Sequence, residues 1–155
     1  MFRNLLSEVY HSRLIGSGDS HERGFEEILQ RYGMCYKRHP NGTHQSPDFE
    51  VTADKNYSIE LKSTKGNRIF LNDSFFVDSR LYIISRKEES IISFGRDLYT
   101  TEEKSRYLEY EAELKKLREK YRGGDRLYLY PRSATQYILK VDREKLWRRV
   151  LKVIL

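Results

Sequence analysis

Asp48, Glu60 and Lys62 are the residues whose types and spacing could act on one substrate. They lie in Ser46-Pro47-Asp48-Phe49-Glu50-Val51-Thr52, a polar turn, and Tyr57-Ser58-Ile59-Glu60-Leu61-Lys62-Ser63-Thr64. Phe49 and Val51 alternate with Asp48 and Glu50, and Ile59 and Leu61 alternate with Ser58, Glu60 and Lys62. That period of two predicts two half-buried strands. With Asp54, Lys55 and Asn56 as a three-residue hairpin loop, position 48 faces 62 and position 50 faces 60. Asp48, Glu60 and Lys62 then share one face, and Phe49, Ile59 and Leu61 turn to the core on the other.

Two carboxylates a few ångströms apart repel, so one pKa rises unless a cation lies between them. Oxygen ligands without His or Cys nearby suit Mg²⁺, with Mn²⁺ able to substitute. Mg²⁺ favours one or two carboxylates plus a substrate phosphate. Lys62, one pleat from Glu60, is placed to hold the attacking water or the scissile phosphate. The chemistry expected is metal-assisted hydrolysis of a phosphodiester.

Pro47-Asp48 followed by Glu60-Leu61-Lys62 resembles the signature of the PD-(D/E)XK nuclease superfamily. The resemblance implies an α/β fold with a restriction-endonuclease-like mixed central β-sheet flanked by helices. Its catalytic residues would lie on a central β-hairpin: Asp48 and Glu60 as metal ligands, the Leu61 carbonyl as a further one, and Lys62 beside the reacting phosphate. Such nucleases often add an acid from a preceding helix. Residues 18–32 supply that helix, with Asp19 or Ser20 as N-cap and Gly33 just past its end. Phe25, Ile28, Leu29 and Tyr32 form its apolar stripe; Glu26 flanks the stripe and Glu27 points away from it. Glu26 is therefore the expected supporting acid, with Glu22, one turn earlier on the same flank, as the fallback.

Glu60-Leu61-Lys62-Ser63-Thr64, Phe70-Leu71-Asn72-Asp73-Ser74, Leu81-Tyr82-Ile83-Ile84 and Tyr130-Pro131-Arg132-Ser133 resemble the central order of small type II restriction endonucleases. That resemblance implies a homodimer on double-stranded DNA, cutting at a specific site, with a cognate DNA methyltransferase in the same system. Two same-chemistry or same-fold alternatives stand beside it: a structure-selective repair or junction-resolving nuclease, and a noncatalytic DNA-binding relative. Donors able to meet bases or phosphates are Arg38, His39, Asn41, His44 and Gln45 before the motif, and Lys65, Asn67, Arg68 and Asn72 after it. Arg132, Ser133, Thr135 and Gln136 follow near the C-terminus. Lys65 and Arg68 are the best phosphate contacts, since phosphate binding needs little geometry.

Charge agrees with a polyanionic partner: the 155 residues carry a net charge of +6 and a pI near 9.3. That length fits a single nuclease domain, 1–155, with residues 1–16 as an added helix suited to dimerisation. The one cysteine, Cys35, cannot form an intramolecular disulfide or a Cys-rich zinc site, and is expected to be buried at the start of a strand. His11, His21, His39 and His44 lack His-x-x-x-His spacing, which argues against a zinc or His-based nuclease. No apolar run reaches a membrane span and Met1-Phe2-Arg3-Asn4-Leu5 has no signal-peptide core, so the expectation is a soluble, cytoplasmic protein.

The positioning elements follow from periodicity. Phe2, Leu5, Leu6, Val9, Tyr10 and Leu14 predict a helix over 2–15. Strands are expected at 34–38, 80–86, 91–94, 127–130 and 137–141. A long charged helix, 102–122, offers Tyr107, Leu108, Leu114, Leu117 and Tyr121 as inward positions and ends at Gly123-Gly124. Asp142 caps a last helix bearing Trp147, Val150 and Leu151.

Overall fold

The computed structural model describes residues 1–12, 14, 18–72, 74–123, 126–129, 131–132 and 134–155. In chain order the elements are α1 (Phe2–His11), α2 (Asp19–Arg31), β1 (Cys35–Arg38), β2 (Phe49–Thr52), β3 (Asn56–Thr64), β4 (Arg68–Asn72), β5 (Leu81–Arg86), β6 (Glu89–Phe94), α3 (Thr101–Lys120), β7 (Thr135–Ile138) and α4 (Arg143–Val153). Five strands form a mixed sheet in the order β1-β2-β3-β5-β6, while β4 and β7 pair as a separate ribbon. Only β3 and β5 run parallel within the larger sheet. The architecture is thus α/β with a mixed central sheet, as expected at that level.

Side-chain parity divides the interior in two. Ile59, Leu61, Leu81, Ile83 and Ile92 face a core closed by α1, α2 and α4. Tyr82, Ile84 and Ile91 face the opposite way, against Ile69 and Leu71 of β4 and Leu139 after β7. A strand covered on both sides must be apolar at every position, which is why Leu81-Tyr82-Ile83-Ile84 reads as a continuous run. Glu60 and Lys62 share the parity of Tyr82 and Ile84, so they lie on the side of the sheet that the ribbon only partly covers.

Several boundaries differ from expectation for local reasons. The hairpin register is Phe49↔Ile59 and Thr52↔Asn56, so the loop is 53–55. Thr52 Oγ1 donates to Asn56 Oδ1 at 2.9 Å, and the Ala53 N–H reaches Lys55 O at 2.9 Å, closing the ladder one residue early. Continued by one residue, this register sets Asp48 opposite Glu60 rather than Lys62. Because the slip is two positions, parity survives and the faces stay as expected. At the end of α2, Gly33 takes φ +65°, and the Met34 N–H reaches Leu29 O while the Gly33 N–H reaches Gln30 O, each at 3.0 Å. This paired closure needs a left-handed residue, which glycine adopts at no steric cost. The N-cap is Gly18 rather than Asp19 or Ser20.

Three further expectations change. Cys35 is exposed, because β1 is an edge strand. Residues 127–129 form no strand and are exposed; Tyr130 lies outside the described residues. Their would-be place beside β7 is taken by β4, whose Ile69 and Leu71 alternate with exposed neighbours. Helix α1 spends its apolar face on the core, with Phe2, Leu5, Leu6, Val9 and Tyr10 all buried, leaving little of it for a partner. Helix α4 likewise closes the core through Leu146, Trp147 and Val150, Trp147 stacking on Tyr10 at 4.7 Å. Helix α3, by contrast, buries no residue at all. Among the described residues no helix is long and apolar enough to cross a membrane.

Candidate active site

Asp48 sits just before β2, where the ladder has opened enough to admit side chains but the backbone is still held. Its carbonyl accepts the His39 N–H at 2.8 Å, and its Oδ2 accepts the Leu61 N–H at 2.8 Å. The carboxylate is therefore pinned to the edge of β3, one residue from Glu60. Glu60 is 8 % exposed; its Oε1 is 4.0 Å from Lys62 Nζ, and its Oε2 is buried with no hydrogen-bond partner among the described residues. Lys62 is half-buried on the same face.

Burial, then the charge of Glu60, push the Asp48 carboxyl up to about 7, against the opposing pull of the Leu61 N–H. The crowding expected from the hairpin pattern is real: a second negative charge is costly where Asp48 sits. A cation is the natural relief. Asp48 and Glu60 offer hard oxygen donors, one of them an unpaired buried oxygen, and that chemistry fits Mg²⁺ or Mn²⁺.

A second set of residues converges on Asp48 from α2 and the end of β1. Ligand atoms of Glu22, His39 and Asp48 all lie within 4.8 Å of one another. His39 Nε2 is 3.0 Å from Glu22 Oε2. His39 follows the last residue of β1 and adopts φ +50°, a turn that a non-glycine residue rarely makes. It leaves His39 Nδ1 buried without a partner among the described residues. The oxygen-only site expected from sequence is therefore corrected: an imidazole stands beside the carboxylates. Nothing in the spacing of His39 marks it, and the positive-φ turn that brings it in is visible only in three dimensions.

Glu22, the fallback acid, is the one turned to Asp48. Glu26 instead accepts from Tyr36 Oη at 2.9 Å and from Arg38 Nη1 at 3.3 Å. The difference is one helical turn: Glu26 lies alongside β1, whereas Glu22 reaches past its end to His39. Arg38 also grips Asp19 at 2.8 Å and Glu22 at 3.0 Å, and the Glu22 bond foremost raises its already high pKa. With three carboxylates around it, Arg38 organises the approach of α2 rather than presenting a free fork to a base. Glu27 points to solvent as expected.

The remaining donors fall into three places. Asn41 donates to Ser46 O at 3.1 Å and braces the loop before Pro47, while His44 and Gln45 are exposed on that loop. Lys65 and Asn67 are exposed in the turn between β3 and β4. Arg68, Asn72 and Gln136 lie on the outward face of the β4–β7 ribbon, where Arg68 opposes Ile138 and Phe70 opposes Gln136. Phe70 and Ile138 are 61 % and 45 % exposed on this same face. Thr135 is half-buried and donates to Ser74 O at 3.3 Å; Arg132 is exposed, and Ser133 lies outside the described residues. Arg68 and Asn72 follow the motif and Gln136 lies near the C-terminus; the pairing of β4 with β7 brings the three onto one face. The chain matches no protein-family model and no curated protein sequence.

Proposed function

We propose that this chain is a Mg²⁺-dependent, site-specific endonuclease of double-stranded DNA, of the type II restriction class. The observation carrying the reading is the Asp48–Glu60 pair: two carboxylates tied to one strand edge, one with a buried oxygen that has no partner among the described residues, and an ammonium 4.0 Å away. A purely structural ion pair would have no use for the orphaned oxygen, whose desolvation goes uncompensated.

Asp48 and Glu60 would hold the cation, with the Leu61 carbonyl leaving β3 on the same side as the N–H that binds Asp48. When bound, the cation would lower the pKa of water and offset charge on the phosphate. Lys62 stands on the same face to hold the phosphate and stabilise charge that grows during attack. Glu22, paired with His39 at 3.0 Å, lies beside Asp48 and would support it, as residues around ionic sites commonly do. Arg38 keeps this acid cluster from repelling itself apart. Lys65 and Arg68 follow the reactive strand and suit phosphate contacts, while the outward face of the ribbon, with Asn72 and Gln136, suits base edges in a major groove wide enough for two strands. As a restriction enzyme the protein would act in the cytoplasm, as a homodimer, beside a methyltransferase that protects the host DNA.

His39 widens the choice of ion, because imidazole beside carboxylates also suits softer metals. The test therefore incubates the purified protein with bacteriophage-length duplex DNA in Mg²⁺, Mn²⁺, Zn²⁺ or EDTA, beside an Asp48→Ala control. Discrete bands requiring Mg²⁺ or Mn²⁺ and Asp48 are the expected result. A smear moves the reading to a structure-selective or nonspecific nuclease, activity confined to Zn²⁺ makes His39 a ligand, and binding without cleavage leaves a silent DNA-binding relative.

A further inference from the structure

Helix α3 carries a run of large apolar residues that the described part of the chain leaves exposed. Among the described residues twelve large hydrophobic side chains are exposed, and seven of them lie between 108 and 129: Leu108, Tyr110, Leu117, Tyr121, Leu127, Tyr128 and Leu129. Clustered exposure of this kind marks an interaction surface. Along α3 the apolar positions Tyr107, Tyr110, Leu114, Leu117 and Tyr121 step by three, four, three and four. That is the spacing of a seam between two helices, and it differs from the broader stripe a helix turns to a sheet. The first turns are anchored to the body: Tyr137 Oη donates to Glu103 at 2.7 Å, and the Tyr107 ring stacks on Phe75 at 4.9 Å. Beyond Tyr107 the seam runs on with nothing buried on it.

We infer that α3 pairs antiparallel with α3 of a second copy of this chain, about a twofold axis passing between residues 115 and 116. This pairing sets Leu114 against Leu117 and Tyr110 against Tyr121, each twice. The charges flanking the seam then complement each other: Glu113 meets Lys120 on one side and Glu111 meets Arg118 on the other, again each twice. Among the described residues Glu113 forms an exposed ion pair with Lys116, at 3.3 Å, a contact weak enough to yield. A parallel pair would also find opposite charges, Glu113 against Arg118. It would, however, force two bodies together at one end, because Glu103 and Tyr107 hold the body on the seam side of the helix. Antiparallel pairing sends the bodies to opposite ends. Helix α1, by contrast, turns its apolar face to the core. The pairing stands whether or not the chain cuts DNA.

Sedimentation of the full chain over a concentration series tests this, using exposed charges whose reversal leaves the fold intact by circular dichroism. The wild type is expected to dimerise. Glu113→Lys alone and Lys120→Glu alone are each expected to raise the dimer dissociation constant about tenfold or more, as paired attractions become repulsions. The double variant Glu113→Lys/Lys120→Glu restores it. A monomeric wild type, or a dimer indifferent to the single reversals, overturns the inference. Rescue by Glu113→Lys/Arg118→Glu in place of the first double variant overturns the antiparallel arrangement.

Discussion

The end of the β2–β3 hairpin and helix α3 break the same partition rule in opposite directions. One draws carboxylates out of water at Asp48 and Glu60; the other leaves leucine and tyrosine in it at Tyr110, Leu117 and Tyr121. Folded chains usually bury apolar groups and solvate charge, so a buried acid or an exposed apolar seam is the informative exception. At the hairpin the cost is electrostatic and the partner we propose is a cation, compact and strongly charged. At α3 the cost is apolar hydration and the missing partner is a surface of matching shape. The two regions also differ in rigidity. Asp48 is fixed by bonds to His39 and Leu61, so it is poised before anything binds, whereas beyond Tyr107 helix α3 buries no residue and is tied by an exposed bond from Arg118 to Pro131 O at 3.4 Å.

The contrast breaks most sharply at the hairpin. Replacing Asp48 or Lys62 by Ala is expected to lower cleavage by about a thousandfold or more while DNA binding persists, as removal of a group acting on the reacting phosphate commonly does. Single-turnover cleavage beside a gel-shift titration measures both. A Lys62→Ala protein cutting at the wild-type rate would remove Lys62 from the chemistry and reduce it to a neighbour of Glu60.

The sequence made this hairpin legible because period-2 alternation is insensitive to a register error of two: the loop was misplaced by one residue, yet Asp48, Glu60 and Lys62 still share a face. Helix α2 was legible for the same kind of reason, its stripe and Gly33 marking its extent. The choice between Glu22 and Glu26 was not, since both flank the stripe and only the end of β1 decides which one meets Asp48. His39 was invisible because its role comes from a backbone turn, not from spacing. Of the inward positions expected on α3, Tyr107 does pack on the body, against Phe75, and Leu114 is half-buried, while Leu108, Leu117 and Tyr121 are exposed, because apolar spacing along a helix does not say which surface will cover it.

The α2 acids give a second, smaller separation. Glu22→Gln is expected to slow cleavage about ten- to a hundredfold, the usual effect of a residue that orients an ion's ligand. Glu26→Gln should stay near the wild-type rate, because Arg38 keeps Asp19 and Glu22. Parallel rate measurements at saturating Mg²⁺ decide it, and the reverse ranking would return the supporting role to Glu26.

Asp48 also sets a pH dependence of stability. Its carboxyl is raised from 3.8 to about 7 in the folded protein, so between about pH 4 and 7 the fold retains a proton that the unfolded chain releases. Its contribution is greatest below pH 4 and is lost as pH rises through 7. Discounted for partial exposure, the metal-free Asp48→Asn protein should exceed the wild type by about 1–3 kcal/mol at pH 8, with the gap closing near pH 4. Urea unfolding in EDTA at pH 4, 6 and 8 reads this directly. Added Mg²⁺ should then stabilise the wild type and not the variant, since only the wild type offers both carboxylates. An Asp48→Asn protein no more stable than the wild type at pH 8 would mean that Lys62 and water already satisfy the pair.

The smallest expected effect belongs to α3. At concentrations where sedimentation shows a monomer, Leu117→Asp should shift the free energy of unfolding by no more than about 0.5 kcal/mol, the range of surface substitutions. Leu117 is 46 % exposed on a helix with no buried residue, so its removal leaves no enclosed cavity. Ile83→Ala in β5, fully buried between two layers, should cost about 2–5 kcal/mol in the same urea titration. Equal losses at the two positions would place Leu117 against the chain's own body and make α3 part of the core. A silent Leu117→Asp in the monomer that still abolishes dimer formation would separate what holds this chain together from what holds two copies of it together.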